Sequence, residues 1–281
     1  MLINLRTALA TSPFACIGFN VTTLEALDAL MMVALRRPGP TILQITERYL
    51  DTFGDSLIRN WMVPRLVASP RPFVLHLDHA LSLEAVLRAL DLGFTSVMYD
   101  GSRLPLTDNI GATRLAVEVA REAGASIEAE VGHVGGREDG AGLAEESWLT
   151  TIEEARIFVE GVDVDALAIS VGSAHGLPSR DHVLTLRVDR IRDIATVVTV
   201  PLVLHGGSGL APSLLQQAIR AGIRKINIGT ELKRAWLEGI QAASHETQEP
   251  WEIREQTVTR LMMAICQLES VVRMPEHPAV T

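Results

Sequence analysis

Three histidines and one glutamate occupy matching places in the chain, each beside the end of a short apolar segment. Imidazole nitrogens with one carboxylate are the usual ligands of a catalytic zinc ion, which keeps one position open for water or substrate. A single such histidine is as readily a hydrogen-bonded loop residue, whereas three at successive strand ends favour a shared ion. The four candidate ligands are His79, Glu130, His175 and His205, in the segments HLDH, EAEVG, GSAHG and LHGGSG.

Asp78 directly precedes His79. A carboxylate beside a metal-bound hydroxyl can take or return a proton there, which is general acid–base chemistry. The alternative is a supporting role, in which the carboxylate orients a histidine ligand.

Two glycine-containing segments predict a phosphate site. Gly206-Gly207-Ser208-Gly209 is expected to open a helix after the seventh strand, and Asn227-Ile228-Gly229-Thr230 one after the eighth. Barrel enzymes often bind phosphate at these two loops, because glycine lets backbone N–H groups approach the anion. Either segment alone indicates only a tight turn.

These residues need a scaffold that brings strand ends together, and the rest of the chain predicts one. Apolar, β-branched runs alternate with segments of helical periodicity, which is typical of βα units around a parallel sheet. Eight such units fit an α/β protein with the (β/α)8 TIM-barrel fold in a single domain, residues 1–281, with C-terminal helices and a tail from about residue 231. An open doubly wound sheet would carry a Gly-rich turn after its first strand, and none occurs. The expected strands are Ala15–Asn20, Thr41–Ile45, Phe73–Asp78, Ser96–Tyr99, Ser126–Val131, Ala166–Val171, Leu202–His205 and Lys225–Ile228.

Composition excludes several classes of partner. Charged residues make up 21% of the chain, the net charge is −9, and no basic cluster occurs, so binding to nucleic acid or to an anionic membrane surface is not expected. No apolar run approaches the roughly 20 residues that span a bilayer, and no secretory signal is visible. We expect a cytoplasmic protein that acts on a small molecule. His133, His182, His245 and His277 lie in less regular contexts and are expected at the surface.

From Phe14 to about Leu232 the chain resembles the class II ketose-bisphosphate aldolases, which include fructose- and tagatose-bisphosphate aldolases. The motifs that carry the resemblance occur in the family's order along the chain. They read GFNV from Gly18, HLDH from His76, GFTSVMYDGS from Gly93, EAEVG from Glu128, GGREDG from Gly135, GSAHG from Gly172, HGGSG from His205 and NIGT from Asn227.

The resemblance implies a zinc-dependent lyase that reversibly cleaves a phosphorylated ketose to dihydroxyacetone phosphate (DHAP) and an aldehyde, as in glycolysis and related carbohydrate metabolism. It implies that His79, His175 and His205 hold Zn²⁺, that Glu130 ligates the ion in an alternative position, and that a monovalent cation such as Na⁺ or K⁺ lies nearby. Asp78 would deprotonate the C4 hydroxyl, Asn227 would bind the enediolate that zinc stabilises, and Glu138 would shuttle the DHAP proton. The expected substrate-binding residues are Asn20, Gly176, Gly206, Ser208, Asn227 and Thr230, in a homodimer or homotetramer.

The distal half of the substrate stays open. The chain lacks the family's Gly-Ser-rich C-terminal segment with a basic residue, so the substrate is fructose or tagatose 1,6-bisphosphate or a related ketose 1-phosphate. Two alternatives remain: a Schiff-base aldolase, disfavoured because Lys occurs only at positions 225 and 233, and a phosphosugar-binding barrel without turnover.

Overall fold

Eight short runs of apolar and β-branched residues form the strands of a closed barrel, in which every strand pairs with its sequence neighbours in parallel and β1 pairs with β8. The computed structural model describes residues 1–136, 147–176 and 185–273. Nearly every strand residue is buried, as expected for parallel strands covered on both faces. The strands are β1 Cys16–Asn20, β2 Thr41–Thr46, β3 Phe73–Ala80, β4 Ser96–Tyr99, β5 Ser126–Val131, β6 Ala166–Ile169, β7 Leu202–Leu204 and β8 Ile223–Ile228.

The predicted single-domain TIM barrel is thereby confirmed, and every strand bound agrees within two residues. Three of the differences lie at the strand ends that precede or carry the expected histidines. β3 continues to Ala80, so that His79 lies inside the strand rather than after it. β6 ends at Ile169 and β7 at Leu204, which leaves His205 just beyond its strand.

Helices follow the strands and begin at recognisable signals. Side chains of Thr23 and Ser82 accept a backbone N–H at the starts of the helices that follow them, and Thr151 and Glu154 form a reciprocal capping box at the start of a third helix. None of the helices in the described ranges is long and apolar enough to cross a membrane. The helices are α1 Leu5–Thr11, α2 Leu24–Arg36, α3 Glu47–Phe53, α4 Asp55–Leu57, a π-helical turn Ile58–Met62, α5 Val63–Ala68, α6 Leu83–Asp91, α7 Leu106–Glu122, α8 Ile152–Gly161, α9 Val188–Ala195, α10 Pro212–Ala221, α11 Thr230–Glu246 and α12 Pro250–Val272.

The barrel interior is apolar at one end and polar at the other. At the amino ends of the strands, α1 places Leu5, Ala8 and Leu9 against inward-facing apolar residues such as Ile42 and Val74, which closes that end. Buried polar and charged side chains occupy the interior above this plug and the carboxyl-end mouth. The two ends therefore have different tasks, since the apolar end stabilises the barrel and the polar end can bind a ligand.

Candidate active site

A local irregularity in β3 brings two consecutive residues to the same site. Successive side chains of a regular strand point to opposite faces, which would separate Asp78 from His79. Here the register between β3 and β4 shifts between Leu77 and Ala80, and His79 has a φ of 51°, the one positive φ of a non-glycine residue in the described ranges. This left-handed conformation turns His79 toward the mouth, where Asp78 already lies.

The imidazoles of His79, His175 and His205 meet at the mouth. Their ring centroids are 4.5 Å (79 to 205), 4.9 Å (79 to 175) and 6.1 Å (175 to 205) apart, and one nitrogen from each lies within 4.8 Å of the others. The backbone of His175 is held by its N–H, which donates to Gly135 O at 2.8 Å. The three histidines expected at one mouth are therefore together, in an arrangement that can hold a divalent ion.

Carboxylates orient two of these rings. Asp100 Oδ2 lies 2.7 Å from Nδ1 of His79, and Glu128 Oε1 lies 2.9 Å from Nε2 of His205. Each contact leaves the opposite ring nitrogen directed at the cluster, which is the arrangement typical of metal-bound histidines. Burial raises the pKa of the Asp100 carboxyl, but the hydrogen bond and charge of His79 outweigh it, so that the net pKa is lowered.

Glu130 lies at the edge of the cluster. Its Oε1 accepts from Val134 N at 3.0 Å, and its Oε2 is 3.1 Å from His205 Nδ1 without the geometry of a hydrogen bond. Burial lowers the pKa of His205, yet the carboxylates of Glu128 and Glu130 raise it to about 9. A divalent cation between these atoms would replace the proton, so the donor set fits a metal ion, with Glu130 within reach of it.

Asp78 is held as an anion by two amides. Asn20 Nδ2 donates to its Oδ2 at 2.7 Å and Asn227 Nδ2 to its Oδ1 at 3.1 Å, while only 1% of the residue is exposed. Burial raises the pKa of Asp78, but the charges of His79 and His205 outweigh this effect and lower it to about 2. At neutral pH the carboxylate is therefore ionised, fixed in direction and able to accept a proton.

The expected substrate-binding residues line one cleft beside Asp78 and His175. Ser208 joins its two glycine loops, because its Oγ accepts from Gly229 N at 3.3 Å and Thr230 N at 3.1 Å. Thr230 opens α11 as expected, whereas α10 begins only at Pro212, so the Gly-rich run is a loop ahead of that helix. The cleft contains all six expected residues: Asn20, Gly176, Gly206, Ser208, Asn227 and Thr230.

The histidines expected at the surface are not all exposed. His133 is buried rather than on the surface, because the loop after β5 pairs with Trp148 and tucks the ring beside that indole and within 3.0 Å of Ser102 Oγ. His245 is exposed as expected. Glu138, the expected proton shuttle, and the histidines at 182 and 277 lie outside the described residues.

Sequence reasoning missed four residues that line the cleft or make contacts with the histidine cluster and its carboxylates. Asp100 follows β4 directly, and Glu128 precedes Glu130 by two positions on the same face of β5, so the strand-end rule would have found both. Lys233 lines the cleft from the first turns of α11, with Nζ 5.5 Å from the centroid of the Tyr49 ring. Lys225 was assigned no role, yet it is buried inside the barrel with Nζ 2.8 Å from Glu128 Oε2.

Comparison with known proteins agrees with this geometry. The family model described as "Fructose-bisphosphate aldolase class-II" matches residues 4–272. The chain is 36% identical to the 6-phospho-5-dehydro-2-deoxy-D-gluconate aldolase of Shouchella clausii, over 91% of this chain and 87% of that protein. It is 34% identical to the fructose-bisphosphate aldolase of Streptococcus pyogenes, over 84% and 81% of the two chains.

A solved structure is similar over almost the full length. The YdjI aldolase of Escherichia coli K12 superposes with a TM-score of 0.85 at 26% identity, covering 97% of this chain and 98% of that one. A barrel mouth with three clustered histidines, the match over nearly the whole chain and the aldolase relatives lead to one conclusion: this protein belongs to the class II fructose-bisphosphate aldolase family.

Proposed function

We propose that this aldolase binds Zn²⁺ through His79, His175 and His205 and reversibly cleaves a phosphorylated ketose to DHAP and an aldehyde. The observation that carries the proposal is the cluster of three imidazoles beside an ionised Asp78. When bound, the ion supplies Lewis-acid polarisation of the substrate's carbonyl.

Asp78 is the base for carbon–carbon cleavage. It takes the proton from the hydroxyl two carbons from the carbonyl; as the C–O double bond forms there, the adjacent C–C bond breaks and its electrons pass to the DHAP fragment. Asn20 and Asn227 hold both carboxylate oxygens during this step. Asn227 Oδ1, which makes no hydrogen bond within the described residues, is available to the three-carbon fragment. Glu138 returns a proton to that fragment to complete DHAP.

The phosphate of the DHAP half binds at the two glycine loops. Gly176, Gly206, Ser208 and Thr230 surround one end of the cleft, and Lys233 is the cation among the described residues that line it. Backbone amides at a helix start and a nearby ammonium group favour an anion. A monovalent cation and a homodimer or homotetramer remain part of the proposal on the resemblance alone.

The distal half of the substrate carries a carboxylate or another group in place of a second phosphate. The chain lacks the segment that the family uses for the distal phosphate, and several relatives are named for a phosphorylated dehydro-deoxy-gluconate. Cleavage of that compound between the first and second carbons from its carbonyl, on the carboxylate side, gives DHAP and a three-carbon aldehyde with a carboxylate. We expect it to exceed fructose 1,6-bisphosphate in kcat/KM, and the reverse ranking would refute this assignment.

The test of the chemistry is cleavage before and after chelation, with metal analysis of the purified protein. We expect about one divalent ion per chain and loss of turnover in chelator that Zn²⁺ restores. A Schiff-base route through Lys233 would instead survive chelation and be inactivated by borohydride in the presence of DHAP. Turnover in the metal-free protein would contradict the proposal.

A further inference from the structure

A buried chain of charged and polar groups runs from β8 to the histidine cluster. Lys225 Nζ lies 2.8 Å from Glu128 Oε2, and Glu128 Oε1 lies 2.9 Å from His205 Nε2. Lys225, Glu128 and His205 are each 0% exposed. They come from β8, β5 and the end of β7, so their contacts cross the barrel interior rather than run along one strand.

We propose that Lys225 is a positioning residue, which holds one oxygen of Glu128 so that the other keeps His205 turned with Nδ1 toward the metal site. The inference rests on the proposed function, because it takes His205 as a metal ligand. Lys225 does not line the cleft, so it does not touch the substrate, and its contact with the metal site runs through Glu128 and His205.

A second imidazole, that of His76, lies near the Glu128 carboxylate. The carboxylate therefore has two histidines to which it can turn. His76 Nε2 lies 4.0 Å from Glu128 Oε2 and has no hydrogen-bond partner among the described residues, while Nδ1 of the same ring is 2.7 Å from Ser96 Oγ. A small rotation of the carboxylate would bring it to His76. The ammonium group of Lys225 lies on the oxygen that faces His76, and so keeps the carboxylate on His205.

Donor and acceptor chemistry then gives the direction of each hydrogen bond. An ammonium group only donates and an ionised carboxylate only accepts. Lys225 therefore donates to Glu128, and Glu128 accepts from Nε2–H of His205. With Nε2 carrying this hydrogen, Nδ1 is the nitrogen left for a metal ion, and it lies 3.1 Å from Glu130 Oε2 at the edge of the histidine cluster.

The experiment compares Zn²⁺ affinity of the metal-free wild type and variants by competition with a chromophoric chelator. Lys225→Met removes the donor and should weaken Zn²⁺ binding by about 10- to 100-fold, the usual effect of losing an outer-shell partner. Lys225→Gln keeps a donor at this position and should recover part of the affinity. Val203→Ala is the control, because Val203 pairs with Lys225 in the sheet and lies in the apolar interior, so it costs stability without touching the chain of contacts.

Two further readouts separate positioning from a general loss of structure. Long-range ¹H–¹⁵N spectra of the Zn²⁺-loaded wild type should show hydrogen on Nε2 of His205 and none on Nδ1, and Lys225→Met at saturating Zn²⁺ should lose this pattern. Adding His76→Phe to Lys225→Met removes the competing imidazole and should restore Zn²⁺ affinity. If Lys225→Met does not fold, the charge-neutral pair Glu128→Gln with Lys225→Met is compared with Glu128→Gln alone. Because Lys225 is proposed to act through the Glu128 carboxylate, the two should bind Zn²⁺ equally, and a further loss in the pair would contradict the proposal.

The failures can be told apart. If the wild type binds no Zn²⁺, the proposed function itself fails. If the wild type binds Zn²⁺ and the Lys225 variants bind it within twofold of the wild type, or if Val203→Ala weakens binding as much as Lys225→Met, the positioning role is wrong and the metal site stands.

Discussion

Replacing Asp78 by asparagine tests the proposed base while changing few atoms. The carboxylate accepts one amide hydrogen on each oxygen, from Asn20 and from Asn227. The new amide can still accept from one of them, but its NH₂ group then meets the NH₂ group of the other. The substitution therefore removes the proton acceptor and leaves one buried donor unsatisfied.

The expected magnitudes differ for catalysis and for stability. Loss of a general base lowers kcat by about 10²- to 10⁴-fold, or about 2.7–5.5 kcal/mol of transition-state free energy. An unsatisfied buried donor costs about 1–3 kcal/mol of unfolding free energy. The catalytic loss should therefore exceed any effect of partial unfolding, and metal content should not change because Asp78 is outside the ligand set.

The assay follows DHAP release during cleavage and, separately, exchange of the DHAP methylene proton in D₂O by NMR. In Asp78→Asn, cleavage should fall while exchange persists, because the base for exchange is assigned to Glu138. Asp165→Asn is the control: this buried carboxylate at the opposite end of the barrel pairs with Arg6 and Arg121, so the change should cost stability and leave kcat unaltered. Unchanged cleavage in Asp78→Asn, or equal loss of cleavage and exchange, would refute the assignment.

Three further predictions follow from the site. His175→Ala should reduce bound Zn²⁺ measured by atomic absorption to a small fraction and abolish turnover, and full occupancy would remove this histidine from the ligand set. Burial lowers the pKa of His76 to about 3, below the value of about 6.5 in an unfolded chain, so the unfolding free energy of the metal-free protein should fall as pH drops from 6.5 toward 3. Urea titrations of His76→Phe should show a shallower fall of the unfolding free energy with pH, and an equal slope would contradict this prediction. Gly206→Ala should lower both Tm and DHAP affinity, because φ at Gly206 is 61° and the added Cβ would lie 2.4 Å from Ala174 O. The control Gly111→Ala in α7, where nothing lies within 4 Å of the added Cβ, should leave Tm unchanged or raise it, and equal effects of the two changes would refute the argument.

Local sequence patterns were sufficient to predict the barrel and most of the residues at its mouth. Alternation of strand and helix predicted all eight strands. The strand-end rule placed His79, His175 and His205 at one mouth, and their rings lie close together in the structure. The rule works because parallel strands in a barrel direct all their carboxyl ends to one side. Composition and spacing along the chain were enough to apply it.

The features that were missed depend on distances across the barrel or on local backbone geometry. Periodicity cannot reveal the positive φ of His79, which lets two neighbouring residues serve one site. The burial of His133 depends on a pairing with Trp148, and the role of Lys225 depends on Glu128 almost a hundred positions earlier in the chain. A lysine at the start of a strand gives no sign of the carboxylate that faces it.

The pairing of the first strand with the last has a consequence for the order of events during synthesis. β1 pairs with β2 early but finds its second partner only after β8 has left the ribosome, and β8 also carries Lys225 and Asn227. Until then Glu128 lacks the ammonium group of Lys225 and Asp78 lacks one of its two amides. A nascent chain that stops short of β8 therefore holds all three histidines, Glu128 and Asn20 but lacks Lys225 and Asn227. We expect ribosome-bound chains of this length to bind Zn²⁺ weakly. Metal binding and closure of the β-barrel then occur together, as one late step of folding.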